Sequence, residues 1–136
     1  MAGVTHTFTN GVKVPGLPTL PADPPVVVTG DYAVEVEIDV PAGTVSLAVA
    51  VGTILKAKVI SMVVNADKVA MDIFTNSANG AGGQHFALAS NNSVAWNNTL
   101  DQTLFPNPVA TDISEFFINN ATAKPGIFRA SFLLLS

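Results

Sequence analysis

The chain has 136 residues, the length of one domain, and it contains no cysteine. Without cysteine it has neither a disulfide framework nor a thiolate metal site. The formal net charge of −4 argues against a surface for nucleic acid or for an anionic membrane. Only 12 % of the residues are charged and 49 % are apolar, whereas charged residues make up about 25 % of soluble domains. Much of the exterior must therefore be small and uncharged or covered by another chain, which makes assembly a hypothesis.

The first thirty residues differ in character from the rest. A short strand is predicted at residues 5–9 and a turn at Asn10-Gly11, and prolines then interrupt any regular pairing. The prolines are Pro15, Pro18, Pro21, Pro24 and Pro25. Their spacing resembles a polyproline ligand, but no basic anchor lies beside it, which favours a stiff connector. Residues 1–30 are therefore predicted to be an extended proline-rich arm. They show no signal-peptide pattern, and no apolar run in the chain approaches the roughly 20 residues of a membrane helix.

Residues 31–136 are predicted to form an all-β domain. Short runs of alternating or β-branched residues, separated by Gly, Pro and Asn, predict strands at 33–40, 44–51, 58–65, 69–75, 84–90, 93–96, 115–119 and 126–134. This spacing is typical of an antiparallel β-sandwich, either jelly-roll-like or immunoglobulin-like. A single helical turn is expected at residues 111–115, where Thr111 or Asp112 is able to cap it.

The second predicted strand has an unusual outer face. Valines and a leucine alternate with Ser46, Ala48, Ala50 and Gly52, and such small residues allow close contact with a covering layer. The last strand carries bulky residues on both sides. Both patterns fit a central sandwich strand or a contact between subunits. The candidate contact residues, including those of the arm, are Val12, Val14, Leu17, Leu20, Val26, Val27, Ala48, Ala50, Phe128, Phe132 and Leu134.

The acidic and histidine residues form no recognisable catalytic, cofactor or metal motif. Glu35, Glu37 and Asp39 share one strand face, and they are interpreted as a solvated face that keeps an edge strand from pairing, since no calcium loop follows. His6 and His85 stand in no nucleophile motif, which favours structural or surface roles.

Several polar motifs have a simpler structural interpretation. The glycine-rich residues 79–83 lack the lysine of a phosphate cradle and predict a hairpin loop. Asn91, Asn97 and Asn120 match the N-glycosylation pattern, but they are interpreted as turn asparagines. Trp96 is expected in the core or at its rim rather than as a sugar platform.

Short segments along most of the chain resemble a group of small tailed-bacteriophage virion proteins of the capsid cement or decoration type. These segments are Thr5-His6-Thr7, Thr29-Gly30-Asp31, residues 38–44, 47–49 and 60–63, Thr75-Asn76, Trp96 and residues 111–122. Residues 14–25 and 98–108 depart from the group's pattern. The resemblance implies a non-enzymatic protein, made in the host cytoplasm and located on the capsid exterior, that binds the major capsid protein without a cofactor. It also implies a homotrimer or another homo-oligomer, with residues 12–28 as the reaching arm.

Two other functions remain open at this point. A phage tail or head-fibre module would bind host glycan through Trp96 and the Asn-rich loops. A hydrolase would need a pair of carboxylates, for which Asp101 and Asp112 are the loop-placed candidates.

Overall fold

The computed structural model describes residues 4–8 and 26–136. For residues 4–8 and 26–28 the description covers the backbone and not the side chains. The strands of this part are β1 (Val4–Phe8), β2 (Val26–Gly30), β3 (Tyr32–Val40), β4 (Thr44–Ile54), β5 (Val59–Asp67), β6 (Met71–Thr75), β7 (His85–Leu88), β8 (Asn92–Asn97), β9 (Ile113–Asn120) and β10 (Gly126–Leu134). One 3-10 turn, Lys56–Lys58, joins β4 to β5. Each strand predicted from the sequence is present, because the turn residues that separate the apolar runs mark where the strands end.

Strands β3 to β10 form two four-stranded antiparallel sheets. The first sheet has the order β3-β10-β5-β8 and the second has the order β4-β9-β6-β7. The pairs β3–β10, β4–β9, β5–β8 and β6–β7 are nested one inside the next along the chain. Eight strands wound in this way make a jelly roll. The predicted antiparallel β-sandwich is confirmed, and the strand order distinguishes the jelly-roll alternative from the immunoglobulin-like one.

The predicted helical turn at residues 111–115 is wrong. β9 begins at Ile113, whose side chain is fully buried. The two capping candidates bind other loops instead: Thr111 Oγ1 donates to Gly82 O at 3.1 Å, and Asp112 Oδ1 accepts from Lys56 N at 2.8 Å. Thr111 and Asp112 therefore connect the segment before β9 to the β6–β7 and β4–β5 loops.

The core lies between the two sheets and is centred on three phenylalanines. The ring of Phe116 lies 5.2 Å from that of Phe128 and 6.0 Å from that of Phe132, between centroids. These side chains and that of Leu134 have no exposed surface. Of the two interpretations of β10, a central sandwich strand or a contact between subunits, the first is therefore correct. The prediction that Phe128, Phe132 and Leu134 are contact residues is wrong, because their side chains are buried in the core. Of the other candidates, Val12, Val14, Leu17 and Leu20 lie outside the described residues, and Val26 and Val27 begin β2.

The N-terminal ribbon lies against the outer side of the first sheet. β1 pairs antiparallel with β2, β1 contacts β10, and β2 contacts both β5 and β10. A Cβ added at Gly30 would lie 2.7 Å from Leu133 Cγ and 3.1 Å from Ile60 Cδ1, so only glycine allows this approach. Leu133 and Ile60 form a second small apolar cluster there with Ala33. Near its C-terminal end, at Leu133 and Leu134, β10 is thus buried on both faces.

The interpretation of the three asparagines as turn residues is confirmed for Asn91, whereas Asn97 and Asn120 are the last residues of β8 and β9 and bind the backbone of the turns that follow. Asn91 has φ 61° and accepts from Lys68 N, and Asn97 accepts from Thr99 N. Asn120 is fully buried. Its amide donates to Val40 O, Pro41 O and Lys124 O at 2.8–3.3 Å, and its oxygen accepts from Thr122 N. Asn120 therefore ties the β3–β4 loop to the β9–β10 loop.

Asn120→Ala is expected to lower the free energy of unfolding by about 3 kcal/mol, because buried carbonyl groups lose their donor. The matched control is Asn98→Ala, whose exposed side chain makes no hydrogen bond to the described residues, with an expected change within about 0.5 kcal/mol. Urea unfolding measures both values. Equal stability of the two variants would contradict the structural role of Asn120.

The C-terminus adds a pH-dependent contribution to stability. Ser136 donates its N–H to Asp31 Oδ2 at 2.7 Å and its hydroxyl at 2.8 Å, and these bonds lower the pKa of Asp31 below 3.8. A lowered folded-state pKa stabilises the fold above the unfolded pKa, and the effect is lost as pH falls through the folded value. Asp31→Asn should therefore be less stable than the native chain at neutral pH, with the difference shrinking as the pH falls through the lowered pKa of Asp31. Urea unfolding at several pH values tests this, and a pH-independent difference would contradict it.

Candidate functional site

The outward side chains of the second sheet form a surface that we call the open face. Its members, which alternate with the core residues of their strands, are Ala48, Ala50, Glu115, Phe117, Asn119, Asp72, Phe74, His85 and Ala87. One row crosses the whole sheet from edge to edge: Ala48 pairs with Phe117, Phe117 with Phe74, and Phe74 with His85. An alanine and three rings in one row give the face an apolar centre.

The small residues of β4 lie at the margin of the open face. Ala48, Ala50 and Gly52 are exposed, so nothing in the described part of the chain covers them. The covering layer that the sequence pattern suggested is therefore absent from the described residues, and Ala48 and Ala50 are available for contact with another molecule.

The free edge of β4 is poorly suited to strand pairing. Its register with β9 shifts twice, between Thr44 and Leu47 and between Ala50 and Ile54. Within these irregular stretches Ser46 has φ 51° and Gly52 has φ 69°. Such bulges prevent edge-to-edge addition of another strand. Contact through β4 must therefore use its face.

The outer side of the first sheet has the opposite character. Glu35, Glu37 and Asp39 are exposed on the edge strand β3, as predicted for a solvated acidic stripe. Arg129 donates to Asp67 at 2.8 Å and to Glu37 at 3.3 Å, and chiefly the bond to Asp67 raises the pKa of Arg129. One cation among these carboxylates leaves the surface acidic.

His85 is held in place on the open face. Its ring stacks on Phe74 with 4.2 Å between centroids and 9° between planes. Its Nε2 lies 2.9 Å from Asp72 Oδ1. The side chains of His85 and Asp72 remain 45 % and 54 % exposed. The predicted structural or surface role of His85 is confirmed, whereas the side chain of His6 lies outside the described ones.

A pocket of about 290 Å³ adjoins this cluster where β6, β7 and β9 meet the β9–β10 loop. Asp72 pairs with Asn119 on one side and with Ala87 on the other. These three side chains, with Ala89 and Ala121, line the pocket. It therefore combines the polar side chains of Asp72, Asn119 and Thr122 with alanine methyl groups.

The remaining sequence candidates do not converge on a site. Trp96 is 4 % exposed and donates its Nε1–H to Phe105 O at 2.9 Å, so the prediction of a core position is confirmed. Asp101 accepts from Thr103 N within its own loop, while Asp112 accepts from Lys56 N. These hydrogen bonds give the two carboxylates separate local roles.

Sequence reasoning missed Asp72 and Asn119. The two lie on separate strands, and only the β6–β9 register brings them side by side. The available signal was the presence of polar residues at outward strand positions next to Phe74 and Phe117, where a solvated face would not place two large aromatic rings.

Comparison with known proteins finds no matching family model, curated protein or solved structure. In the described part of the chain, no group of three or more acidic or histidine side chains is arranged to hold a metal ion. Nor does any helix within residues 4–8 and 26–136 have the length and apolar character needed to span a membrane.

Proposed function

We propose that the chain is a non-enzymatic structural protein of a bacteriophage virion, a capsid cement or decoration protein. It binds the exterior of a shell of major capsid proteins as a homotrimer or another homo-oligomer, and it stabilises that shell. The observation that carries the proposal is the open face, whose β4 margin is made of the small residues Ala48, Ala50 and Gly52 and is not covered by any of the described residues. The resemblance of the sequence to phage cement proteins supports the same function.

The open face suits contact between copies better than the other surfaces do. Ala48 and Ala50 allow a second backbone to approach closely, and Phe117 supplies apolar area to bury. The outer side of the first sheet carries four carboxylates, those of Glu35, Glu37, Asp39 and Asp67, against the two of the open face, and it would repel its own copy more strongly. The edge of β4 is bulged, and that of β3 is lined with carboxylates.

The arm is attached to the opposite side of the sandwich. β2 shares residues 26–28 with the predicted arm and contacts the first sheet, while the open face belongs to the second sheet. One side is then free for contact between copies while the other directs the arm toward the shell. Several weak contacts made by one oligomer add to a strong attachment, as expected for binding to a repeating lattice.

Ala48→Glu is expected to weaken self-association by about tenfold or more, because it places a charge opposite Phe117 in the apolar row. The matched control is Ala95→Glu, at an exposed alanine of β8 in the first sheet. Light scattering over a concentration series measures the solution mass of both variants and of the native chain. A native monomer, or an Ala48→Glu variant as oligomeric as the native chain, would refute this interface.

Deletion of residues 1–25 is expected to weaken shell binding and to leave the sandwich folded, because β3 to β10 form both sheets by themselves. The measurement is the number of copies bound per undecorated shell after mixing, with circular dichroism as the test of folding. Unchanged occupancy by the folded truncated chain would contradict the role of the arm.

A further inference from the structure

The pocket beside His85 contains two polar side chains in fixed orientations. Asn119 Oδ1 accepts from Ser46 N at 2.8 Å, which leaves the Nδ2 amide group as the donor of this side chain. Asp72 Oδ1 is bound by His85 Nε2 at 2.9 Å. Asn119 Nδ2 and Asp72 Oδ2 make no hydrogen bond within the described part of the chain. Each residue therefore offers one free polar atom, a donor from Asn119 and an acceptor from Asp72.

These two free atoms belong to neighbouring side chains. Asp72 and Asn119 are directly paired across β6 and β9, and such pairs have Cβ atoms about 5 Å apart. Each hydroxyl group of a sugar ring both donates and accepts, so a neighbouring acceptor and donor complement two adjacent hydroxyl groups. The pair is matched to a vicinal diol.

Apart from Thr122, the rest of the pocket lining is apolar, and the pocket is small. Ala87, Ala89 and Ala121 present methyl groups, and the volume is about 290 Å³. Ligand pockets begin at roughly 300 Å³, so the space suits one ring rather than a long chain. The C–H face of a pyranose would pack on the methyl groups while its hydroxyls meet Asp72 and Asn119. The carboxylate of Asp72 disfavours an acidic sugar.

We infer that the pocket formed by Asp72, Asn119 and Ala87 binds one neutral pyranose unit of a glycan. This site goes beyond the proposed shell-binding function and does not depend on it. It uses the β6–β7 side of the open face, whereas the proposed contact between copies is centred on β4. Copies repeated over a shell would give a weak sugar site high avidity for a polysaccharide surface. The buried Trp96 takes no part in it.

The test is a titration of the full chain with the methyl glycosides of glucose, galactose, mannose and N-acetylglucosamine, followed by ¹H–¹⁵N NMR. At least one sugar is expected to bind with a dissociation constant on the order of 1 mM. It should shift the side-chain amide of Asn119 and the backbone amides of Ala87 and Ala121. No shift with any of the four sugars, or stronger shifts with glucuronate, would overturn the inference.

Two variants locate the site. Ala87→Leu fills the floor at an exposed strand position, and Asn119→Asp removes the donor while keeping an oxygen for Ser46 N. Both are expected to weaken binding at least tenfold. Ala95→Leu, at an exposed alanine of β8 outside the pocket, is the control and should bind as the native chain does. Binding that survives in both pocket variants, with native-like spectra, would place the sugar elsewhere and refute the assignment.

Discussion

The fold depends on the position of β10 between β3 and β5. The last strand pairs along its whole length with the first strand of the sandwich and also pairs with the third, so it joins these two strands in one sheet. Its inward residues Phe128 and Phe132 meet Phe116 of the second sheet. Because β3 and β10 are paired, the strands that follow β3 and precede β10, namely β4 and β9, must pair in the opposite layer. The second sheet and its open face follow from that nesting.

The two outer surfaces of the sandwich differ because different constraints act on them. The first sheet carries carboxylates on its edge strand and is partly covered by the β1–β2 ribbon, where Gly30 closes over Leu133. The second sheet has no covering element among the described residues at Ala48 and Ala50, and its central positions are aromatic. The open face also carries the carboxylates of Asp72 and Glu115, but its row from Ala48 through Phe117 to Phe74 is apolar. This row is therefore the part of the surface where contact with another molecule costs little desolvation.

Local periodicity predicted the strands well because one face of each strand enters the core. The alternation from Val34 to Val40 and the turn residues after it leave little choice of conformation. The same periodicity could not tell whether the small residues of β4 are covered, since this depends on which strands lie nearby. It also could not separate core from contact in β10, where Phe132 faces the second sheet and Leu133 faces the ribbon. The expected helical turn failed because Thr111 and Asp112 bind distant loops, which no local rule anticipates.

The candidate sugar site depends on an irregularity that a regular strand would not provide. Ser46 has a positive φ of 51°, a conformation that costs a non-glycine residue about 1 kcal/mol or more. This conformation turns its N–H toward Asn119 Oδ1 at the bulge in β4. The bulge has two consequences: it disrupts the edge of β4 against strand addition, and it holds Oδ1 of Asn119, which leaves Nδ2 as the donor without a partner among the described residues. A regular β4 would lose both effects at once, so the protection of the edge and the orientation of the donor have the same structural cause.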